Sequence, residues 1–440
     1  MGIKKIFFIG IIAFYGVAYG ATIKITSIPA FGAVPGSIQG TVTGVNASSY
    51  AVAPYIQIEG VGWWTKPSFA TPTVAINANG TFSAPVVTGG MDNYATLYCA
   101  VLVPIGTTPP AVGGGYRIPV NSEALATDCV ERYGRTVTFA GRTWGVKDAP
   151  GFVGPGGNFF SAKTSDVWVD SQGLHLTIHY IDGGWYSTEV VLLESLGYGT
   201  YVFKTKSRTD IMDTNATLGM FTWDPHGDDV NSGESHSREI DFEDSSWGIA
   251  TDPNTQAVVQ PWNVSGNRRR FNLPNLSADS RLTRAFTWKA DSIRFLSLKG
   301  DQPATGYPQS AVFDDWTYLH EPNNGHFVPT PGREQIRLNL WINTNGALAN
   351  GTSAEVIISD FSFIPAQPVI TKIKKNGANV DLSFTSSKGY NYSIQSRTNL
   401  NFGSWSNLTG TYPGTGATAQ TTLTNAATTS PKYFRIKQLP

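Results

Sequence analysis

The sequence predicts an all-β protein: a central double-sheet jelly roll flanked by two small β-sandwiches. Apolar residues recur in short alternating runs, and none keeps a 3.6-residue period for three turns, so long helices are not expected. Turn formers are dense, with 46 Gly and 26 Pro in 440 residues, and they divide the runs at strand-like spacing. Charged residues are 15% of the chain, against about 25% in an average globular protein, while aromatics reach 12%. Lys+Arg and Asp+Glu are both 32, a formal net charge of zero. A general binder of nucleic acid or acidic membranes would carry a basic excess, so neither partner is expected.

Residues 1–20 read as a signal peptide. Lys4 and Lys5 precede an apolar stretch from Ile6 to Val17, and Ala18-Tyr19-Gly20 offers a small-residue cleavage site. The stretch is short of the ~20 residues a membrane-spanning helix needs, so secretion without membrane insertion is expected. Residues 21–120 hold the runs Ser37–Val42, Tyr55–Glu59, Thr73–Ile76 and Ala95–Val103, with the hairpin signal Asn79-Gly80. They form the expected N-terminal accessory sandwich. Gly62-Trp63-Trp64 within it would present two indoles to opposite faces, one of them a candidate sugar platform. Gly106–Gly115 (GTTPPAVGGG) reads as a linker or long loop. Cys99 and Cys129 are the only cysteines, and an even pair in an exported chain suggests one disulfide, with two unpaired core thiols as the alternative.

Residues 130–366 keep the strand rhythm longest, through Val167–Asp170, Leu174–Tyr180, Tyr198–Lys206 and Glu355–Ile364, as suits a double-sheet jelly roll. Pro365–Pro368 marks the next boundary. Residues 367–440 then carry Asn379–Phe384, Tyr390–Gln395 and Lys432–Lys437, another small sandwich. Its lone Trp405 is expected in the core.

One segment stands out chemically: Glu239-Ile240-Asp241-Phe242-Glu243. On a strand, Ile240 and Phe242 face the core while Glu239, Asp241 and Glu243 share the other face. Strands are poor in acids, and three on one face repel, so stability gives little reason for the pattern. Catalysis gives one. The two Glu Cα atoms would lie roughly 13 Å apart, close enough for inward-leaning carboxylates to reach the ~5–5.5 Å separation of a retaining glycosidase. Mutual repulsion would keep a proton on the cluster near neutral pH. A solvated strand face and a Ca²⁺ ligand set are the competing readings, although an extended strand cannot wrap one ion.

The motif resembles the active-site strand of glycoside hydrolase family 16 in its bulge-free E-x-D-x-E form. Leu196–Tyr201, Phe286-Thr287-Trp288 leading to Ile293-Arg294-Phe295, and Leu338-Asn339-Leu340-Trp341 are similar to other strands of that family. The resemblance implies Glu239 as nucleophile, Asp241 as assisting acid and Glu243 as general acid/base. It departs where lichenases and xyloglucan enzymes carry aromatic-Asp before the motif and Phe-Leu-Gly after it. This chain has Ser237-Arg238 and Asp244-Ser245-Ser246 there, so the substrate is not inherited. Trp223, Trp247, Gln260, Trp262, Trp341 and Asn343 are candidate substrate-binding residues, since flat apolar faces and polar rims suit sugar rings. Trp144, Trp168 and Trp288 are expected in the core, and His226 and His236 as solvated loop residues.

The resulting expectation is a secreted retaining endo-glycosidase that cuts internal β-linkages of a neutral or sulfated glucan or galactan. A monomer is expected. Paired-carboxylate chemistry needs no cofactor, and a structural Ca²⁺ is compatible with it. A transglycosylase using the same carboxylates is one alternative. A non-catalytic carbohydrate-binding protein is the other, although such proteins usually lose one of the three acids.

Overall fold

The computed structural model describes residues 20–115, 117–119, 121–227, 237–400, 402, 404–408, 410–416, 418–427 and 432–439. The expected signal peptide, apart from Gly20, and His236 lie outside the described residues. Helix among the described residues is limited to short 3-10 turns, and none is long and apolar enough to cross a membrane. The chain is all-β.

The N-terminal unit is two packed sheets. Thr22–Ser27, Gly36–Thr43 and Thr81–Val87 form one. The other runs Gly113–Gly115, Gly62–Thr65, Tyr50–Ile58, Leu97–Pro104, Ala126–Glu131. Ile38, Val52, Ile56, Phe82 and Leu102 fill the space between them. Tyr50–Ile58 and Leu97–Pro104 are buried on both faces, because Tyr55, Trp63, Cys99 and Val101 make a second apolar layer on the far side. Such strands read as continuous apolar runs rather than alternations.

Three expectations change here. The Gly106–Gly115 segment is a long loop as far as Val112, but its end is a strand and not a linker: Gly113 and Gly115 pair with Trp64 and Trp63. Ala126–Glu131 belongs to the N-terminal sheet, so that unit runs past residue 120. Trp63 is no sugar platform, being fully buried with its indole N–H donating to Pro225 O of the central unit at 3.2 Å. Cys99 and Cys129 sit opposite one another on neighbouring strands and are disulfide-bonded.

The central unit is a jelly roll of two antiparallel sheets. The site-bearing sheet runs Arg135–Phe139, Arg142–Val146, Gly184–Leu192, Gln335–Ile342, Ala216–Trp223, Ile240–Asp244, Thr255–Val259, Arg268–Phe271. The backing sheet runs Val167–Asp170, Gly173–Ile181, Ala354–Pro365, Gly199–Thr205, Leu282–Trp288, Ser292–Lys299, Val312–Leu319. Trp144, Leu218, Met220, Phe242, Phe286, Trp288 and Leu340 fill the core between them. Trp144 and Trp288 are core residues as expected, whereas Trp168 is half-buried and stacks on His175.

The C-terminal unit packs Ile370–Asn376, Asn379–Thr385 and Thr418–Leu423 against a sheet centred on Asn391–Arg397. Trp405 is not in its core; Arg397 and Arg435 each lie over its ring.

Candidate active site

Ile240–Asp244 lies between two strands, with Ala216–Trp223 on one side and Thr255–Val259 on the other. Alternation turns Ile240 and Phe242 into the core and leaves the acids on the opposite face. Asp244 falls on the core side, where an apolar residue would be the simple expectation. It is fully buried and paired with the equally buried Arg284 at 2.8 Å. Both ends of the strand are held in uncommon backbone. Ser237, Arg238 and Trp247 have φ of 55°, 50° and 53°, a region non-glycine residues seldom occupy. Arg238 is fixed by Asp224 and by Thr330 O, which accepts from its Nε at 2.6 Å. Ser237-Arg238, where the sequence departs from the motif it resembles, is therefore a structural anchor.

The cross-strand register sets the floor of the site. Glu243 lies opposite Gln256 on one side and Gly219 on the other, and Gly219 lies opposite Asn339. Gln256 Nε2 donates to Glu243 Oε2 at 2.6 Å. A Cβ on Gly219 would stand 2.4 Å from Asn339 Oδ1, so glycine keeps this row open. Asp241 accepts from Gln260 Nε2 at 3.2 Å and shares a hydrogen bond with Glu239. The three carboxylates line one cavity of about 200 Å³ with Phe221, Trp223, Asn339 and Trp341.

Burial is the largest influence on all three acids. It pushes Glu239 up to about 8, helped by the Glu243 charge and opposed by Arg337. It pushes Glu243 up to about 7, against the Gln256 hydrogen bond and the charges of Arg268 and Arg270. Asp241, facing both glutamates, is raised well above the carboxylate range. Protons on such a set belong to the cluster rather than to single residues.

Behind the acids lies a buried charge network. Arg337 is paired with Glu189 at 2.8 Å and Glu131 at 2.6 Å, and its guanidinium lies 4.6 Å from the Trp223 ring centre. Lys147 reaches Glu59 at 2.8 Å and Glu189 at 3.5 Å. Glu59 and Glu131 come from the N-terminal unit, whose Gln57 also donates to Pro225 O at 2.7 Å.

The proposed binding residues divide. Trp223 and Trp341 line the cavity. Trp247 stands behind Trp341, edge to face at 5.8 Å, and Gln260 orients Asp241 from the side. Trp262 is 55% exposed, lies against Arg268 and does not line the cavity. Asn343 does not line it either; its amide donates to Ser245 Oγ at 2.8 Å and Thr217 Oγ1 at 3.0 Å. His226 is buried beside Asp224, not solvated. Sequence reasoning missed Gln256, Phe221, Asn339 and Arg337, all recoverable from strand register, and Glu59, which carries no sequence signal. Among the described residues, the group close enough to share a metal ion is Cys99, Cys129 and His226, and its two sulfurs are bonded to each other.

No family model matches the chain, and no curated protein matches it. Among solved structures, a Bacillus licheniformis β-glucanase aligns at 19% identity and TM-score 0.37, over 51% of this chain and 92% of its own. A lichenase from a mouse hindgut metagenome gives 18% and 0.36, over 51% and 93%. A glycosyl hydrolase family 16 protein from Mycobacterium smegmatis gives 16% and 0.32, over 49% and 89%. The jelly-roll assignment rests on the strand order itself.

Proposed function

We propose that this protein is a retaining glycoside hydrolase acting on a β-linked neutral or sulfated glucan or galactan. One observation carries the reading: Glu239, just ahead of the Ile240–Asp244 strand, and Asp241 and Glu243 on it line a single cavity with the aromatic rings of Trp223, Trp341 and Phe221. Indole faces suit the C–H faces of a pyranose, and the paired acids suit double displacement. Glu239 is raised at least as far as Glu243, so the reactive form is one protonation arrangement of the shared cluster, with its protons on Glu243 and Asp241. In it Glu239, as carboxylate, attacks the anomeric carbon while Glu243 gives its proton to the departing oxygen and the glycosidic bond breaks. The resulting glycosyl ester is cleaved by water, which Glu243 deprotonates, returning both glutamates to their starting states. Asp241, raised by burial and by both neighbouring glutamates and hydrogen-bonded to Glu239, holds a proton toward the nucleophile and supports its ionised form. The disulfide agrees with an exported enzyme.

Reducing-sugar release across β-glucans, agars and carrageenans tests the reading. Glu239→Gln should fold and lose turnover by many orders of magnitude. Glu243→Ala should be nearly inactive on polysaccharide, but with added azide it should form a β-glycosyl azide from an activated substrate. Parent-like activity in Glu239→Gln rejects the assignment.

A further inference from the structure

The sequence favours cleavage inside polysaccharide chains, which needs a groove open on both sides of the carboxylate strand. The two sides differ. On the side of Thr255–Val259, the chain leads through Gln260 to the exposed Trp262. On the side of Ala216–Trp223 and Gln335–Ile342, the same cavity meets Glu59 and Gly60 of the N-terminal unit and Gly154 and Pro155 of the central unit.

These two turns are locked together. Gly154 N donates to Glu59 O at 3.0 Å. Lys147 Nζ bridges them, reaching Glu59 Oε1 at 2.8 Å and Gly154 O at 2.7 Å from a buried position. Contact is backbone to backbone: a Cβ on Gly60 would lie 3.1 Å from Gly154 N, and one on Gly154 would lie 3.2 Å from Gly60 N. The next loop residue, Gly156, packs on the Trp341 ring, where a Cβ would come within 2.6 Å. Nothing here is a loose side chain that a polymer could push aside. The cavity volume of about 200 Å³ is also small beside the ~300–1,000 Å³ typical of drug-sized ligand pockets.

From this we infer that the N-terminal unit walls off one flank of the cleft, and that the substrate is a chain end. One or two sugar rings fill the space between the carboxylates and the Glu59-Gly60 turn, and the rest of the polymer leaves by the Trp262 side. The inference rests on the glycosidase reading of the same carboxylates. It assigns specificity to a unit with no catalytic residue of its own.

Two measurements test it. In the first, the parent protein digests the polysaccharide it accepts while viscosity, reducing ends and product sizes are followed together. A single short product from the earliest time, with viscosity lagging far behind reducing-end release, supports a chain-end site. A mixed ladder with early viscosity collapse overturns it and leaves the glycosidase reading intact. In the second, Glu239→Gln is titrated with β-1,3- and β-1,4-gluco-oligosaccharides and galactan oligosaccharides, either free or bulkily capped at one end. A cap at one end, but not the other, should weaken binding by about 100-fold or more, as expected when a ring must fit a closed pocket. Equal binding of all capped forms overturns the wall. If capping discriminates but the parent releases no sugar, the glycosidase reading fails while the chain-end site stands.

Discussion

Glu239 shows how much a single residue's surroundings matter. Burial first, then the charge of Glu243, raises it from the ordinary 4.5 to about 8. Between those values the folded protein holds a proton that the unfolded chain has released. Stability from this site is therefore complete below about pH 4.5 and is lost as pH rises toward 8. Glu239→Gln cannot ionise, so its melting temperature relative to the parent should climb between pH 5 and pH 8; a constant difference would show that Glu239 is not raised. The tryptophans separate at the same scale. Trp341 lines the cavity, so Trp341→Ala should raise KM at least tenfold, a loss of about 1.4 kcal/mol of binding. Trp262 lies outside it, so Trp262→Ala should leave kcat unchanged and alter KM by less than about threefold on short substrates. A large fall in kcat for Trp262→Ala would instead put that indole against the reacting ring.

At the scale of the element, the strand pattern carried most of the site and burial on both faces concealed the rest. Alternation in Glu239–Glu243 placed three acids on one face before any coordinates, since a period of two leaves no other arrangement on a strand. The same rule predicts an apolar residue at position 244, and it fails because Arg284 is buried opposite as a counter-charge. Gln256 and Asn339 became visible only through register, because sequence distance says nothing about which strands lie side by side. The Gly106–Gly115 segment looked like a linker by composition, yet glycines at 113 and 115 let a short strand lie against the Trp63-Trp64 strand. Strand Gln335–Ile342 concentrates these effects, carrying Arg337 between carboxylates of both units. Arg337→Met should cost about 3–5 kcal/mol, because Glu189 and Glu131 would be left buried without their shared cation. Denaturant unfolding measures this, and a loss under 1 kcal/mol would show that Lys147 alone neutralises the network.

At the scale of the whole molecule, the two flanking units are joined to the jelly roll in different ways. The C-terminal unit touches it at the Gly197-Tyr198 turn, where Ser387 Oγ donates to Tyr198 O at 3.0 Å and Gly416 lies against Gly197. Among the described residues, none of that unit lines the carboxylate cavity. The N-terminal unit instead places Glu59 and Gly60 on the cavity and holds residues around it, with Glu131 on Arg337, Glu59 on Lys147, and Trp63 and Gln57 on Pro225. Small polar contacts let a unit be removed at modest cost, whereas a large buried interface makes two units fold as one. Removing residues 367–440 should therefore leave kcat/KM on a soluble substrate within about threefold of the full chain. Removing residues 21–131 strips Arg337 and Lys147 of two carboxylate partners and uncovers the apolar surroundings of Pro225 and His226. That truncation should lose cooperative thermal unfolding together with activity. A truncated protein that melts cooperatively and turns over at the parent rate would show that the N-terminal unit is an accessory, as its sequence first suggests, and not a wall of the active site.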